Sequence, residues 1–158
     1  MQLIRALILA LLCAPSTASA DPNTGGTPLY GTVALQAGFT PDPRAVRVTA
    51  GGDTDARRLS LPAGCTGFIT PGQPDVRLNW TAGRAALRLA VCSNADTSLI
   101  INDSAGRWHC ADDVEGTNPV LDFSGESGQF DIWVGGARAG AGRPATLRIT
   151  ERVGRICD

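Results

Sequence analysis

Asp112, Asp113, Glu115 and Asn118 carry oxygen donors within seven positions, and Asp96, Asn102 and Asp103 lie on the hairpin just before them. Carboxylates and amides gathered in a loop are the hard donors that calcium collects six to eight at a time. The spacing is not that of an EF-hand loop, so calcium is an expectation resting on donor chemistry alone. A second reading competes with it: Asp-rich turns commonly turn their side chains onto backbone amides and remain solvated.

Other chemistries have less support. A Ser-His-Asp relay needs a histidine between acid and nucleophile. His109 is the single histidine, and it sits between Trp108 and Cys110 with no glycine-framed serine elbow in the chain. Zinc would need more imidazole or free thiolate than the chain offers. Asp112 and Asp113 are adjacent, so they do not flank a sugar from opposite sides as glycosidase carboxylates do. Of the three tryptophans, Trp80 follows the inward pattern of Val76 and Leu78. Trp133 falls on the face opposite Phe130, Ile132 and Val134, which makes it a candidate for surface binding. The alternatives for Trp133 are cover for a satellite cluster or a cation–π contact with an arginine. Asp131 is expected to pair with Arg148 or Arg88.

These groups need a scaffold, and the first twenty residues are not part of it. Arg5 precedes an apolar run over 6–13, and Ala18, Ser19 and Ala20 offer the small residues that a signal peptidase accepts. The run is too short to span a bilayer, and bulky Leu12 before Cys13 argues against lipoprotein processing. The mature chain is therefore expected to begin near Asp21, outside the cytoplasm, in the periplasm or beyond. No later stretch is long and apolar enough to predict a transmembrane segment.

Export alters the meaning of the remaining cysteines. Cys65, Cys92, Cys110 and Cys157 make an even count in an oxidising compartment, which predicts two disulfides in one of three connectivities. With Arg5 removed, 13 basic residues face all 15 acidic ones, a net charge of −2. All the basic residues are arginines. This balance gives no electrostatic case for nucleic acid or anionic lipid.

Roughly 138 mature residues suit one domain with a real core. Nineteen glycines and ten prolines work against long helices, because these residues cost about 1 and 3 kcal/mol in a helix interior. Residues 21–28, DPNTGGTP, have no apolar pattern and read as a flexible lead-in. From 29 to 158 short strands follow one another, with period-two alternation placing one side inward. Val46 and Val48 are inward in one, and Leu87, Leu89 and Val91 in another. Leu99 and Ile101 do the same, as do Leu147 and Ile149. Such strands about every 8 to 12 residues predict an all-β, jelly-roll-like antiparallel β-sandwich.

Several segments together carry a resemblance: GFTPDP at 38–43, AGGD at 50–53, CTGFI at 65–69, PDVRLN at 74–79, DTSLIIN at 96–102, WHCADD at 108–113, Asn118-Pro119, FDIWVG at 130–135 and PATL at 144–147. Across nearly the whole mature chain these resemble bacterial pre-peptidase C-terminal domains and their stand-alone relatives. The resemblance implies a jelly-roll-like sandwich that accompanies secreted hydrolases, binds calcium in some members and polymeric substrates in others, and is not itself catalytic. Cys65 and Cys110 sit where the resemblance expects a cysteine pair. That leaves Cys92 with Cys157, a bond that would pin the tail 152–158.

The chain thus reads as a non-catalytic exported accessory or binding domain. It would present the loop around 112–118 to an extracellular or envelope polymer or to a secreted protease. The rival readings are a secreted peptidase or other hydrolase, and a structural cell-envelope protein.

Overall fold

The computed structural model describes residues 20–157. The expected leader, except for Ala20, and Cys13 within it lie outside the described residues, as does Asp158. Eleven strands form two sheets among the described residues: β1 Thr32–Gln36, β2 Arg44–Ala50, β3 Thr54–Asp55, β4 Phe68–Ile69, β5 Val76–Thr81, β6 Leu87–Cys92, β7 Thr97–Asn102, β8 Trp108–Ala111, β9 Val120–Phe123, β10 Gly128–Gly136 and β11 Arg143–Thr150. The only helical piece among those residues is a 3-10 turn, Ala56–Arg58, which Asp55 caps by accepting from the Arg57 N–H.

One sheet runs β2-β11-β6-β9. The other is organised on β10, which pairs with β5 through its first half and with β7 through its second. β1 extends this sheet beyond β5, β8 extends it beyond β7, and β4 with β3 joins near the end of β10. The ladders are antiparallel except that β1 runs parallel to β5, a departure from the all-antiparallel expectation. Such a pairing needs a crossover. The chain supplies it between Gln36 and Val76, passing through β2 in the opposite sheet.

The predicted inward faces make the main core. Val76, Leu78 and Trp80 of β5 meet Leu87, Leu89 and Val91 of β6, and Phe130, Ile132 and Val134 of β10 meet Leu147 and Ile149 of β11. Period-two alternation is the cause, since each strand sends every second side chain into the gap between the sheets.

A second core covers the outer face of the β7–β10 pair. There Ile100 and Trp133 pack with Ala56, Cys65 and Ile69, flanked by Leu59, Leu61, Trp108 and Cys110. The irregular segment between the 3-10 turn and β4 supplies much of this cover, and the Cys65–Cys110 disulfide ties it to β8. Trp133 is consequently 0% exposed, which removes it as a surface-binding candidate and bears out the alternative reading, a place in a satellite cluster. Burying its indole carbons contributes about 3 kcal/mol, offset in part by an indole N–H with no hydrogen-bond partner among the described residues, and its ring lies 5.4 Å from that of Trp108.

The second disulfide, Cys92–Cys157, straps the tail onto the outer face of the other sheet, where Ile156 and Cys157 cover Ala90 and Val120. Both bonds join the pairs that the resemblance implies, and both suit an oxidising compartment. No helix among the described residues is long and apolar enough to cross a membrane.

Two expectations are corrected by polar contacts. The lead-in is not a loose tether. Asn23 N–H donates to the Pro71 carbonyl at 2.8 Å, its side-chain amide donates to Gly72, and Arg77 donates to the Thr24 and Gly26 carbonyls. Asp131 pairs with Arg77 at 2.7 Å rather than with Arg148 or Arg88. The register places Arg77 directly opposite Asp131, while Arg88 is held by Asp122 at 2.6 Å.

Where β5 gives out, a side chain continues its ladder. Val76 is the last β5 residue opposite β10, and the Asp75 carboxylate takes the next N–H of the ladder, that of Val134, at 2.7 Å. Asp75 is 4% exposed. Burial pushes its carboxyl up to about 7, and the Val134 hydrogen bond offsets only part of that.

Candidate functional site

β7 and β8 form a hairpin whose two ends both carry carboxylates. Asp103 lies at the closed end, where the chain turns back. Asp96 precedes β7 and Asp112 and Asp113 follow β8, so antiparallel pairing of Leu99 with Ala111 returns these three to the same open end. Over a six-residue strand the ends stand roughly 20 Å apart.

At the open end, one carboxylate oxygen from each of Asp96, Asp112 and Asp113 lies within 4.8 Å of the others. Thr66, brought alongside by the neighbouring Cys65–Cys110 bond, donates its hydroxyl to Asp112 Oδ2 at 2.6 Å. Burial, followed by the negative charges of Asp112 and Asp113, raises the Asp96 carboxyl above its ordinary value. Asp96 and Asp112 line a cleft of about 220 Å³ together with Thr66, Thr97, Ser98 and Arg57. Arg57 is the cation at this wall, and its guanidinium is engaged by Asp55 at 2.7 Å.

Two hydroxyls at this cleft are notable. Thr97 is 1% exposed and Ser98 3%, and neither Oγ has a hydrogen-bond partner among the described residues. A buried hydroxyl without a partner costs on the order of 1 to 3 kcal/mol. The Ser98 hydroxyl occupies space that only glycines leave open, since a Cβ on Gly67 or Gly135 would stand 2.1 or 2.2 Å from it. Gly67 also has φ +91°, where a side chain would be strained.

The donor set fits a hard divalent cation. It is made of oxygen alone, with one oxygen of each residue close enough to the others to share an ion. Carboxylates at this separation repel one another unless a positive charge intervenes.

The other four candidate ligands have different employment. Glu115 Oε2 accepts from the N–H groups of Ile156 and Cys157 at 3.1 and 3.3 Å. Asn118 Oδ1 accepts from Ser93 N–H at 3.0 Å. Both therefore follow the backbone-capping reading. Asn102 ends β7 opposite Trp108, at the far end of the hairpin. Asp103 has a site of its own and does not close on the open end. Of the seven candidates the fold brings three together, because strand length separates the two ends of the hairpin and the tail occupies Glu115.

Asp103 is saturated with donors. Its Oδ1 accepts from Ala105 and Arg107 N–H, each at 2.9 Å. Its Oδ2 takes Arg107 Nε and His109 Nε2, each at 2.7 Å. Arg107 also pairs with Glu126. Burial alone would raise the Asp103 carboxyl, but the hydrogen bonds from His109, Arg107 and Ala105 outweigh it and bring it to about 2. His109, packed edge-on against Phe123 with ring centroids 5.0 Å apart, is thereby a structural partner of Asp103.

Sequence reasoning missed Arg107, Thr66, Thr97 and Ser98. Arg107 had a readable signal, an Asp-x-x-x-Arg-x-His spacing across a short turn. Thr66 follows from its neighbour Cys65 once the disulfide partner is fixed. Nothing in the pattern distinguishes Thr97 and Ser98 from ordinary strand residues.

Comparison with known proteins adds little beyond the fold. No known sequence family matches the chain, and no curated protein matches it. Among solved structures it is similar to the pre-peptidase C-terminal domain of collagenase from Bacillus anthracis, with 8% identity and a TM-score of 0.41, over 87% of this chain and 98% of that one. The two-sheet sandwich rests on the strand pairing described above.

Proposed function

We propose that this chain is a non-catalytic exported accessory domain. It presents the loop surface beside Asp112 and Asp113 to an extracellular or cell-envelope polymer, or to a secreted hydrolase, with calcium as the ordering ion. The observation that carries this reading is the meeting of Asp96, Asp112 and Asp113 within 4.8 Å at a cleft whose Thr97 and Ser98 hydroxyls lack partners.

A bound calcium ion would supply the positive charge that lets three carboxylates share one place. Asp96 would fix the start of β7, and Asp112 and Asp113 the exit from β8, so the loop 112–118 would be held at its root. Glu115 and Asn118 already fasten its far side to the tail and to Ser93. A loop anchored at both ends loses little conformational freedom on meeting a partner, which favours binding.

A non-catalytic role is supported by what the nucleophile and base candidates are doing. The single histidine is engaged by Asp103, and all four mature cysteines are in disulfides. Melting the purified protein in calcium and in chelator tests the reading, with a higher midpoint in calcium expected. Equal midpoints would remove the ion. Pull-down on insoluble polysaccharide and collagen-like polymers, with and without calcium, tests the partner. Casein hydrolysis lost on His109→Ala would overturn the non-catalytic assignment.

A further inference from the structure

On the other sheet, the strapped tail creates a concave site of opposite charge. Arg148, Arg152 and Arg155 line one cleft of about 250 Å³, with Thr150 and Ile156 in its wall and the exposed Val153 at its edge. We propose that this cleft binds an oxyanion, phosphate or sulfate, either free or carried as a substituent on an acidic glycan.

The arginines are gathered by constraint. Cys157 is bonded to Cys92, Arg88 donates to the Gly154 carbonyl at 2.6 Å, and Glu115 accepts the Ile156 and Cys157 N–H groups. Arg148 reaches from β11 to the Ile156 carbonyl at 2.7 Å. The tail segment bearing Arg152 and Arg155 therefore cannot swing away to relieve the repulsion between like charges.

One carboxylate answers one of them: Asp42 forms an ion pair with Arg152 at 3.7 Å, longer than a direct hydrogen bond. Glu151 turns to the Gly38 N–H, and Asp122 is engaged by Arg88. Arg155 has no ion-pair or hydrogen-bond partner among the described residues. Each guanidinium presents five donors in a planar fork that matches the paired oxygens of a phosphate or sulfate. Arg148 spends one of its donors on Ile156 and retains the rest. Three arginines line one small cleft, and the charge-assisted hydrogen bonds they would give a compact oxyanion are the strong ones.

Titration calorimetry with inorganic phosphate and with a sulfated heparin-type oligosaccharide, in chloride buffers of matched ionic strength, is the test. Saturable binding is expected. It should weaken about tenfold or more in the Arg152→Gln/Arg155→Gln double variant, and should be unchanged in Arg84→Gln/Arg138→Gln, which removes equal charge elsewhere. Arg148→Lys keeps the charge and a donor for Ile156 but loses the fork, and should weaken binding severalfold. Near-UV circular dichroism confirms that each variant is folded. Binding of the oligosaccharide alone with the same dependence assigns the oxyanion to a glycan. Absence of binding beyond chloride, or equal losses in the two double variants, would overturn the site. Neither result bears on the calcium reading, whose residues lie on the other sheet.

Discussion

At the closed end of the β7–β8 hairpin, one carboxylate meets an arginine, a histidine and two backbone N–H groups. At the open end, three carboxylates meet one another and a single threonine hydroxyl. Asp103 is accordingly held well below the ordinary carboxylate range, and Asp96 is raised from its ordinary value. Asp75 extends the contrast, being buried with only the Val134 N–H as donor and lifted to about 7. Burial raises all three, and the number of donors decides where each settles. A carboxylate with its donors in place is part of the architecture, whereas carboxylates lacking them leave charge for something else to answer.

The sharpest way to break this comparison is Asp103→Ala. It removes the acceptor of two N–H groups, His109 and Arg107, and because the Arg107 side chain is 58% exposed and reaches water, the cost should be about 2 to 3 kcal/mol, most of it from the unpaired N–H groups. Urea denaturation at pH 7 measures it. In the unaltered protein the contribution of this lowered carboxyl is present above its unfolded value near 4 and is lost as pH falls through about 2.

Asp75 should behave with the opposite sign. The folded state favours its protonated form, so stability declines as pH rises from about 4 through about 7. Between pH 5 and 8 the unaltered protein should lose on the order of 2 to 3 kcal/mol relative to Asp75→Asn. Paired denaturation curves at the two pH values read this difference, and parallel behaviour of the two proteins would refute it.

Smaller effects belong to the open end. Calcium at ten times its dissociation constant should add about 1.4 kcal/mol, and the Asp112→Asn/Asp113→Asn variant should abolish the increment in the same melting assay. In chelator, Asp113→Asn alone should raise stability by about 0.5 kcal/mol through relief of like-charge repulsion. A loss there would mean that Asp113 serves the fold.

Much of the sandwich was legible because one side of most strands follows strict alternation. Val76, Leu78 and Trp80, or Phe130, Ile132 and Val134, announce their core face without help. Trp133 was legible only as one of several alternatives. Its cover comes from Ala56, Cys65, Leu59 and Leu61, in a segment with no period to read. Alternation says which side chains share a face, but not whether the second face is roofed. The site divided in the same way. The gathering of Asp96 with Asp112 and Asp113 followed from a hairpin, whereas the capture of Glu115 by the tail depended on a disulfide 42 residues downstream that spacing alone left among three connectivities. The lead-in misled because Thr24 and Gly26 hold Arg77 through backbone carbonyls, which composition does not display.

The roof over Trp133 has an optical consequence. Two indoles and the Cys65–Cys110 sulfurs share one small cluster, and a neighbouring disulfide drains the excited state of tryptophan. In the folded, oxidised molecule Trp108 and Trp133 should therefore glow weakly, leaving most of the emission to Trp80 in the main core. Mild reduction that leaves the sheets intact should brighten it, giving a direct readout of whether that strap is closed.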